Sequence, residues 1–275
     1  MAEISAKDVM ALRQKSGCGM MECKKALVAS NGDLEGAMEY LRKAGIAKAA
    51  KKADRSTNQG RWAAAKNGAE AALVEVLCET DFVSATAEFK AFAQAAADKA
   101  ASYAGVDGDV SAKLAADMDA DLKALIGKLG ENMSIRRAIR WVPAAGNQIG
   151  YYLHTAQPYA AMVEVAGPCD ADLLLNITLH VTASNPTYIS RDDVPQSFID
   201  KELEIAKADP KLAGKPEQVL KGILQGKLNK RFTEICLMEM PWIDDEHTCL
   251  AKVAPDVKVV RFVRSLVGAS LDEQK

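Results

Sequence analysis

Ala72-Leu73-Val74-Glu75-Val76 returns in the second half of the chain as Ala161-Met162-Val163-Glu164-Val165, and this echoed apolar run, interrupted each time by one glutamate, decides the fold. Each copy follows a Gly-led apolar segment, residues 60–65 in one case and 150–154 in the other, and each precedes a helical pattern. In the first copy Asn67-Gly68 marks the turn of a β-hairpin, because those residues accept the left-handed backbone that a tight turn demands. Each half closes on a strand mixing basic and apolar residues, 135–142 and 257–266. The reading is α+β, with two related subdomains, each a small antiparallel sheet covered by helices on one face. The spacing is too long and the identity too low for a solenoid.

Working outward, residues 5–45 read as three short helices. Ser5 is an N-cap, Val9 and Leu12 give a narrow apolar stripe, and Gly17 suits a left-handed helix end. A second helix starts near Met20, turns Cys23, Ala26 and Leu27 to one face, and stops at Asn31-Gly32. Asp33 caps a third, in which Leu34, Ala37, Met38 and Leu41 keep helical spacing and Gly45 closes the helix. So small a unit has a marginal core and is expected to act as a tethered recognition module. The domain plan is a module over 1–45, a Lys-rich linker over 46–60, an N-subdomain over 61–143 and a C-subdomain over 144–275. Helices are expected over 84–103, with Phe89, Phe92 and Ala96 inward, and over 111–129, with Leu122, Leu125, Ile126 and Leu129 inward. In the second half Asp170 caps a helix carrying Leu173, Leu174, Ile177 and Val181, and Asn185-Pro186 forces a turn. Stripes of Leu203, Val219, Leu220, Ile223, Leu224 and Leu228 predict an inserted antiparallel helical hairpin over about 194–234, its arms joined through Asp209-Pro210 and Ala213-Gly214-Lys215.

Composition excludes several classes. With 35 Lys+Arg against 37 Asp+Glu, the net charge of −2 supplies no global field for nucleic acid or an anionic membrane. No basic flank followed by an apolar stretch opens Met1-Ala2-Glu3-Ile4-Ser5, and no run approaches the ~20 apolar residues of a membrane span, so a soluble, cytoplasmic chain is expected. Cys18, Cys23, Cys78, Cys169, Cys236 and Cys249 form no CxxC pair and read as reduced, mostly buried thiols.

Motifs for chemistry are scarce. The sequence holds no GxxxxGK[ST] loop and no GxGxxG turn; Gly214-Lys215-Pro216 fails because Pro follows the Lys. His154, His180 and His247 stand far apart and build no zinc pattern, and His180 sits among apolar neighbours as a structural histidine. Neither a metal nor a cofactor is expected. The segment Glu79-Thr80-Asp81-Phe82-Val83 lies where a strand hands over to a helix, where side chains project from the rigid edge of a sheet. Spacing alone favours Thr80 or Asp81 as a cap, with Phe82 and Val83 tucked into the core; the other reading presents these side chains outward.

Several stretches, in order, resemble the elongation factor Ts family over nearly the whole chain. Residues 12–27, with Ser16-Gly17-Cys18-Gly19-Met20-Met21, then Asn31-Gly32-Asp33, look like the family's N-terminal ubiquitin-associated-like module. Val74-Glu75-Val76 with Cys78-Glu79-Thr80-Asp81-Phe82-Val83 looks like its core signature. Gly130-Glu131-Asn132 with Ile135-Arg136-Arg137, Asn185-Pro186 through Val194-Pro195, and Gly214-Lys215-Pro216-Glu217 with Gly226-Lys227-Leu228-Asn229-Lys230 complete the series. After His154 the chain reads Gln157-Pro158-Tyr159 where the family often carries a Gly-Arg turn.

The resemblance implies a translation factor, not an enzyme, that promotes GDP release from the GTPase elongation factor Tu. It implies that Asp81 and Phe82, flanked by Thr80 and Val83, enter the GTPase near its magnesium and switch elements. Met20 and Met21 are carried over as contacts to the nucleotide-binding domain, Leu129 and Gly130 as a core contact near the same surface, and His154 as a contact near the partner's phosphate loop. The hairpin is implied to reach another partner domain or a neighbouring copy, with a homodimer or a 2:2 complex among the assemblies allowed. Two other classes stand beside this one. A ribosome- or chaperone-associated peptide adaptor would need little more than residues 1–45, and a small acid-base enzyme would use Asp81 with a nearby Glu.

Overall fold

Each N-terminal helix begins and ends where its capping residues require. In the computed structural model, which describes residues 4–154, 158–212 and 215–269, Ser5 accepts from the Asp8 N–H and opens α1 (Ala6–Ser16), and left-handed Gly17 ends it. α2 (Met20–Ala29) starts at Gly19, and Asp33 caps α3 (Leu34–Ala50) by accepting from the N–H groups of Glu35 and Gly36. Val9, Leu12, Cys23, Ala26, Leu27 and Ala37 form the small core of these helices, whereas Met38 faces solvent. The third helix does not close at Gly45 as its sequence predicts. It continues to Ala50, because Gly45 has a different use: α3 crosses a later helix there at backbone contact distance.

β1 (Gln59–Asn67) and β2 (Glu70–Cys78) form the expected hairpin. Asn67 pairs with Glu70, so the turn is Gly68-Ala69, one residue later than predicted, with Gly68 supplying the left-handed conformation at φ 64°. The helix expected over 84–103 is two pieces, α4 (Asp81–Ser84) and α5 (Ala87–Ala101), because Thr86 opens a new N-terminus by accepting from the Phe89 N–H. Next come the two-residue β3 (Gly108–Asp109), α6 (Ser111–Asp117) and α7 (Asp119–Leu129). The break at Met118 replaces the single helix predicted over 111–129; Asp119 and Asp121 in the first turn of α7 suit a helix start, where the dipole favours negative charge. β4 (Met133–Trp141) completes an antiparallel sheet of order β1-β2-β4-β3. Phe89, Phe92 and Ala96 lie in its core with Val74, Val76, Leu125 and Ile126, as their spacing predicts. Gly45 meets α7 at Gly127, where an added Cβ would lie 2.8 Å from the Gly45 Cα.

The chain divides between Val142 and Pro143 into two compact units. The second contains β5 (Gln148–Leu153), β6 (Tyr159–Ala166), α8 (Ala171–Ser184), α9 (Gln196–Lys207), α10 (Glu217–Ile235), the short α11 (Leu250–Val253) and β7 (Lys258–Leu266). Its sheet is antiparallel, in the order β5-β6-β7. Asp170 caps α8 by accepting from the Leu173 N–H, and Asn185 ends it at φ 51°. α9 and α10 fold back on each other, pinned by Lys227 on Asp209 at 2.7 Å and Arg231 near Glu202 at 3.7 Å. Leu224 and Leu228 face inward, but Val219 is 49% exposed, so the apolar stripe fades toward the tip of the hairpin. Ala213 and Gly214 of the expected turn, like Gln157 and Met1-Ala2-Glu3, lie outside the described residues.

The internal repeat extends to side-chain detail. Glu75 on β2 faces Arg137 on β4 and accepts from its Nε at 2.7 Å; Glu164 on β6 faces Arg261 on β7 and accepts from its Nε at 2.7 Å. In both sheets the register slips immediately after the glutamate, so a bulge sits beside the ion pair each time. Both carboxylates are buried, and a buried carboxylate requires a partner. The single glutamate inside each apolar run is thus matched by an arginine on the closing strand. All six cysteines are free, four of them buried, and no helix among the described residues is long and apolar enough to cross a membrane.

Candidate functional site

β2 ends at Cys78, and within two residues the chain turns into α4, a helix of only four residues. One turn of helix cannot hold itself together, since nucleation fixes several residues for a single hydrogen bond. Its order must come from its neighbours. Thr80 is the N-cap, and its Oγ1 accepts from the Val83 N–H at 3.3 Å. The Asp81 carboxylate accepts from the Phe82 N–H at 2.9 Å, and the Ser84 hydroxyl donates to the Asp81 carbonyl at 2.8 Å.

Successive helical residues point about 100° apart, so with the cap fixed Val83 and Phe82 cannot share a direction. Val83 packs against the core of the first sheet, whereas Phe82 is 82% exposed. The reading from spacing alone, which put both side chains inside, is corrected for Phe82. The resemblance had it outside.

The corner is fastened to a second turn 50 residues away in sequence. α7 ends at left-handed Gly130, φ 81°, whose N–H donates to the Ile126 carbonyl at 2.9 Å; Leu129 beside it is partly buried against the core. Glu131 then reaches back, its Oε2 accepting from the Thr80 N–H at 3.0 Å and its Oε1 from the Thr80 hydroxyl at 2.7 Å. In the opposite direction Glu79 accepts from the Asn132 N–H at 2.6 Å. That bond, helped by Arg55 at 3.4 Å, holds the Glu79 carboxyl below the usual carboxylate range. The buried Asn132 donates through Nδ2 to the carbonyls of Ala53 and Arg55, at 3.2 and 2.8 Å, and Lys52 donates to the Gly130 carbonyl. Two carboxylates are therefore exchanged between the two turns, and the segment after α3 is bonded to the same junction.

Met20 and Met21 are both exposed at the start of α2, outside the inward set of Cys23, Ala26 and Leu27. Their helices reach the corner's supports through α3, which packs on α7. Glu22 accepts from Lys48 of α3, tying α2 to that helix. Thr80, Asp81, Phe82, Val83, Met20, Met21, Leu129 and Gly130 all belong to the first unit. His154 belongs to the second; it is exposed after β5, its N–H donates to the Tyr159 carbonyl at 2.9 Å, and its ring stands edge-on to Tyr152 at 6.0 Å.

The chemistry open to this corner is that of a projection. Burial, reinforced by the nearby Glu131 charge, pushes the Cys78 thiol up to about 12, so it is no nucleophile near neutral pH. Two clefts of about 620 Å³ exist, one beside α2, α3 and α7 and one beside β7, and Phe82 lines neither. Small-molecule sites are concave, so an exposed phenyl outside both clefts suits a protein partner better. Among the described residues no cluster of His, Cys, Asp and Glu could hold a metal ion. The support of this corner that the sequence reading missed is Glu131. It stood inside a recognised stretch, but no periodicity connects it to Thr80.

The family model described as Elongation factor TS matches residues 79–269, from the corner through the second unit. Proteins named Elongation factor Ts from Teredinibacter turnerae and Thioalkalivibrio sulfidiphilus are each 40% identical to this chain. The first alignment covers 99% of the chain and 93% of the relative, and the second 98% and 94%. A protein of that name from Halorhodospira halophila is also 40% identical, over 98% of the chain.

Proposed function

This chain belongs to the elongation factor Ts family, and from that premise we propose that it binds elongation factor Tu carrying GDP and promotes GDP release by disturbing the magnesium and phosphate site. The observation that supports the reading is Phe82, a phenyl ring 82% exposed on a corner whose backbone is fastened at every turn. A solvent-exposed phenyl does little for its own fold; buried in a partner it is the kind of anchor that carries binding energy.

A GTPase holds GDP largely through its phosphate loop and bound Mg²⁺. Displacing the groups that support the metal removes charge neutralisation from the phosphates, and an inserted ring does so without making a bond. Coupling is reciprocal: a factor that weakens GDP a hundredfold is itself weakened a hundredfold by GDP, which requires about 2.7 kcal/mol. One or two anchors of ~2 kcal/mol each suffice. Asp81 and Thr80 set the ring's approach, and Val83 roots the corner in the core. Met20 and Met21 contact the nucleotide-binding domain, Leu129 and Gly130 support the same surface, and His154 and the α9–α10 hairpin add contacts of the second unit. The protein needs no cofactor and turns over no substrate of its own.

The test is a chase of fluorescent GDP from purified elongation factor Tu. Phe82→Ala should slow stimulated release by roughly 30-fold, the equivalent of ~2 kcal/mol, with the melting curve unchanged because the ring is outside the core. Equal release rates for the two proteins reject the proposal.

A further inference from the structure

We propose that Glu131 is a positioning residue for nucleotide exchange, acting through Thr80 to hold the Phe82 ring ready for insertion. The inference rests on the exchange reading above. It starts from a mismatch: α4 has four residues, none of them buried, yet it carries the most exposed large apolar side chain among the described residues. Val83 gives it one partly buried contact. Local bonds from Asp81 and Ser84 close the turn but do not fix its direction relative to the sheet.

Glu131 fixes that direction. Its two carboxylate oxygens accept from the N–H and the O–H of one residue, Thr80, at 3.0 and 2.7 Å. Holding the N–H pins the backbone where the strand ends. Holding the hydroxyl hydrogen sets the Thr80 rotamer, which leaves an oxygen lone pair for the Val83 N–H and so starts the helix at a defined angle. The base of this brace is itself rigid: Gly130 caps α7, Asn132 is buried and bonded to the Ala53 and Arg55 carbonyls, and the Asn132 N–H donates to Glu79. Without the carboxylate, the one-turn helix can fray and the phenyl ring must be ordered during the encounter, which lowers the rate of productive insertion.

Gln in place of Glu131 keeps the size but leaves one accepting oxygen where there were two. Glu131→Gln should lower the maximal rate of stimulated GDP release roughly tenfold, while the concentration of factor giving half that rate stays within about twofold, because ring presentation and not the wider interface is altered. In a Phe82→Ala background the same change should add nothing, because there is no ring left to position. Thr80→Val removes the hydroxyl that donates to Glu131 together with the cap on the Val83 N–H, leaves Glu131 in place, and should give at least the same loss and the same lack of additivity. It decides the matter if Glu131→Gln folds poorly, as judged by its melting temperature. A full-rate Glu131→Gln beside a slow Phe82→Ala overturns this inference and leaves the exchange reading standing. Losses that multiply in the double variant also overturn it, since they mark a general weakening of the fold. A full-rate Phe82→Ala removes the exchange reading itself.

Discussion

Gly45 and Gly127 face each other where α3 crosses α7, and the contact is asymmetric enough to predict opposite outcomes for the same substitution. A Cβ on Gly45 would meet the Lys123 carbonyl at 3.7 Å and the Gly127 Cα at 3.8 Å, both ordinary van der Waals contacts. A Cβ on Gly127 would lie 2.8 Å from the Gly45 Cα, a backbone atom that no rotamer change can move aside. Both glycines sit within helices, where Gly→Ala is worth roughly 0.5–1 kcal/mol in favour of the helix. Gly45→Ala should keep that gain. For Gly127→Ala the overpacking penalty of roughly 1–3 kcal/mol exceeds it, so the two variants should differ by about 1–3 kcal/mol. Because the crossing lies within the first of two compact units, local exchange reports on it more directly than a melt of the whole chain. Amide hydrogen exchange in α1 to α3 is the better assay, with protection raised in Gly45→Ala and lowered in Gly127→Ala. Equal protection, or greater protection in Gly127→Ala, would show that the helices are not locked at this crossing.

Two further outcomes concern buried ionisable groups. His180 is fully buried against Trp242, 4.9 Å between ring centres, with Nδ1 3.1 Å from the Ser184 hydroxyl. Burial holds its pKa below the usual histidine value, with the Leu237 backbone and the Asp244 charge opposing that shift. The unfolded chain therefore takes up this proton first, and stability should be lost as pH falls below about 6.5. Urea midpoints between pH 7 and pH 5 should drop more steeply for the wild type than for His180→Phe; parallel curves would contradict the assignment. Glu75→Ala, which takes the carboxylate from the buried Arg137, should cost about 3–5 kcal/mol by urea unfolding, and a loss under 1 kcal/mol would mean that the strand pair relaxes around the change.

Local rules carried the sequence reading wherever the cause was local. Ser5, Asp33 and Asp170 cap helices because each side-chain oxygen sits within reach of an N–H of the next turn, a relation visible in a few consecutive residues. The echoed runs at Val74 and Val163 pointed to two sheets because burial imposes an apolar pattern on each strand separately. Gly45 misled because a glycine permits both a left-handed cap and a close crossing, and only the position of α7 decides between them. Phe82 misled for a similar reason. Apolar character argues for the core, and the opposing fact, a cap on Thr80 braced from Glu131, comes from 51 residues further along the chain. The resemblance implied a ring turned outward, and Phe82 is 82% exposed.

The matched bulges and Glu–Arg pairs make the two sheets one local solution used twice, and the copies part company just beyond them. After Val76 the first copy runs out through Glu79 and Thr80 to its bare aromatic tip. After Val165 the second makes a plain Gly167-Pro168 bend, in which a side chain on Gly167 would collide with the Asp256 carbonyl, and passes directly to the Asp170 cap. One copy carries the exposed ring at the end of its strand and the other turns into its helix without one. A chimera carrying residues 79–84 of the first copy after β6 would ask whether the second sheet can host the same corner.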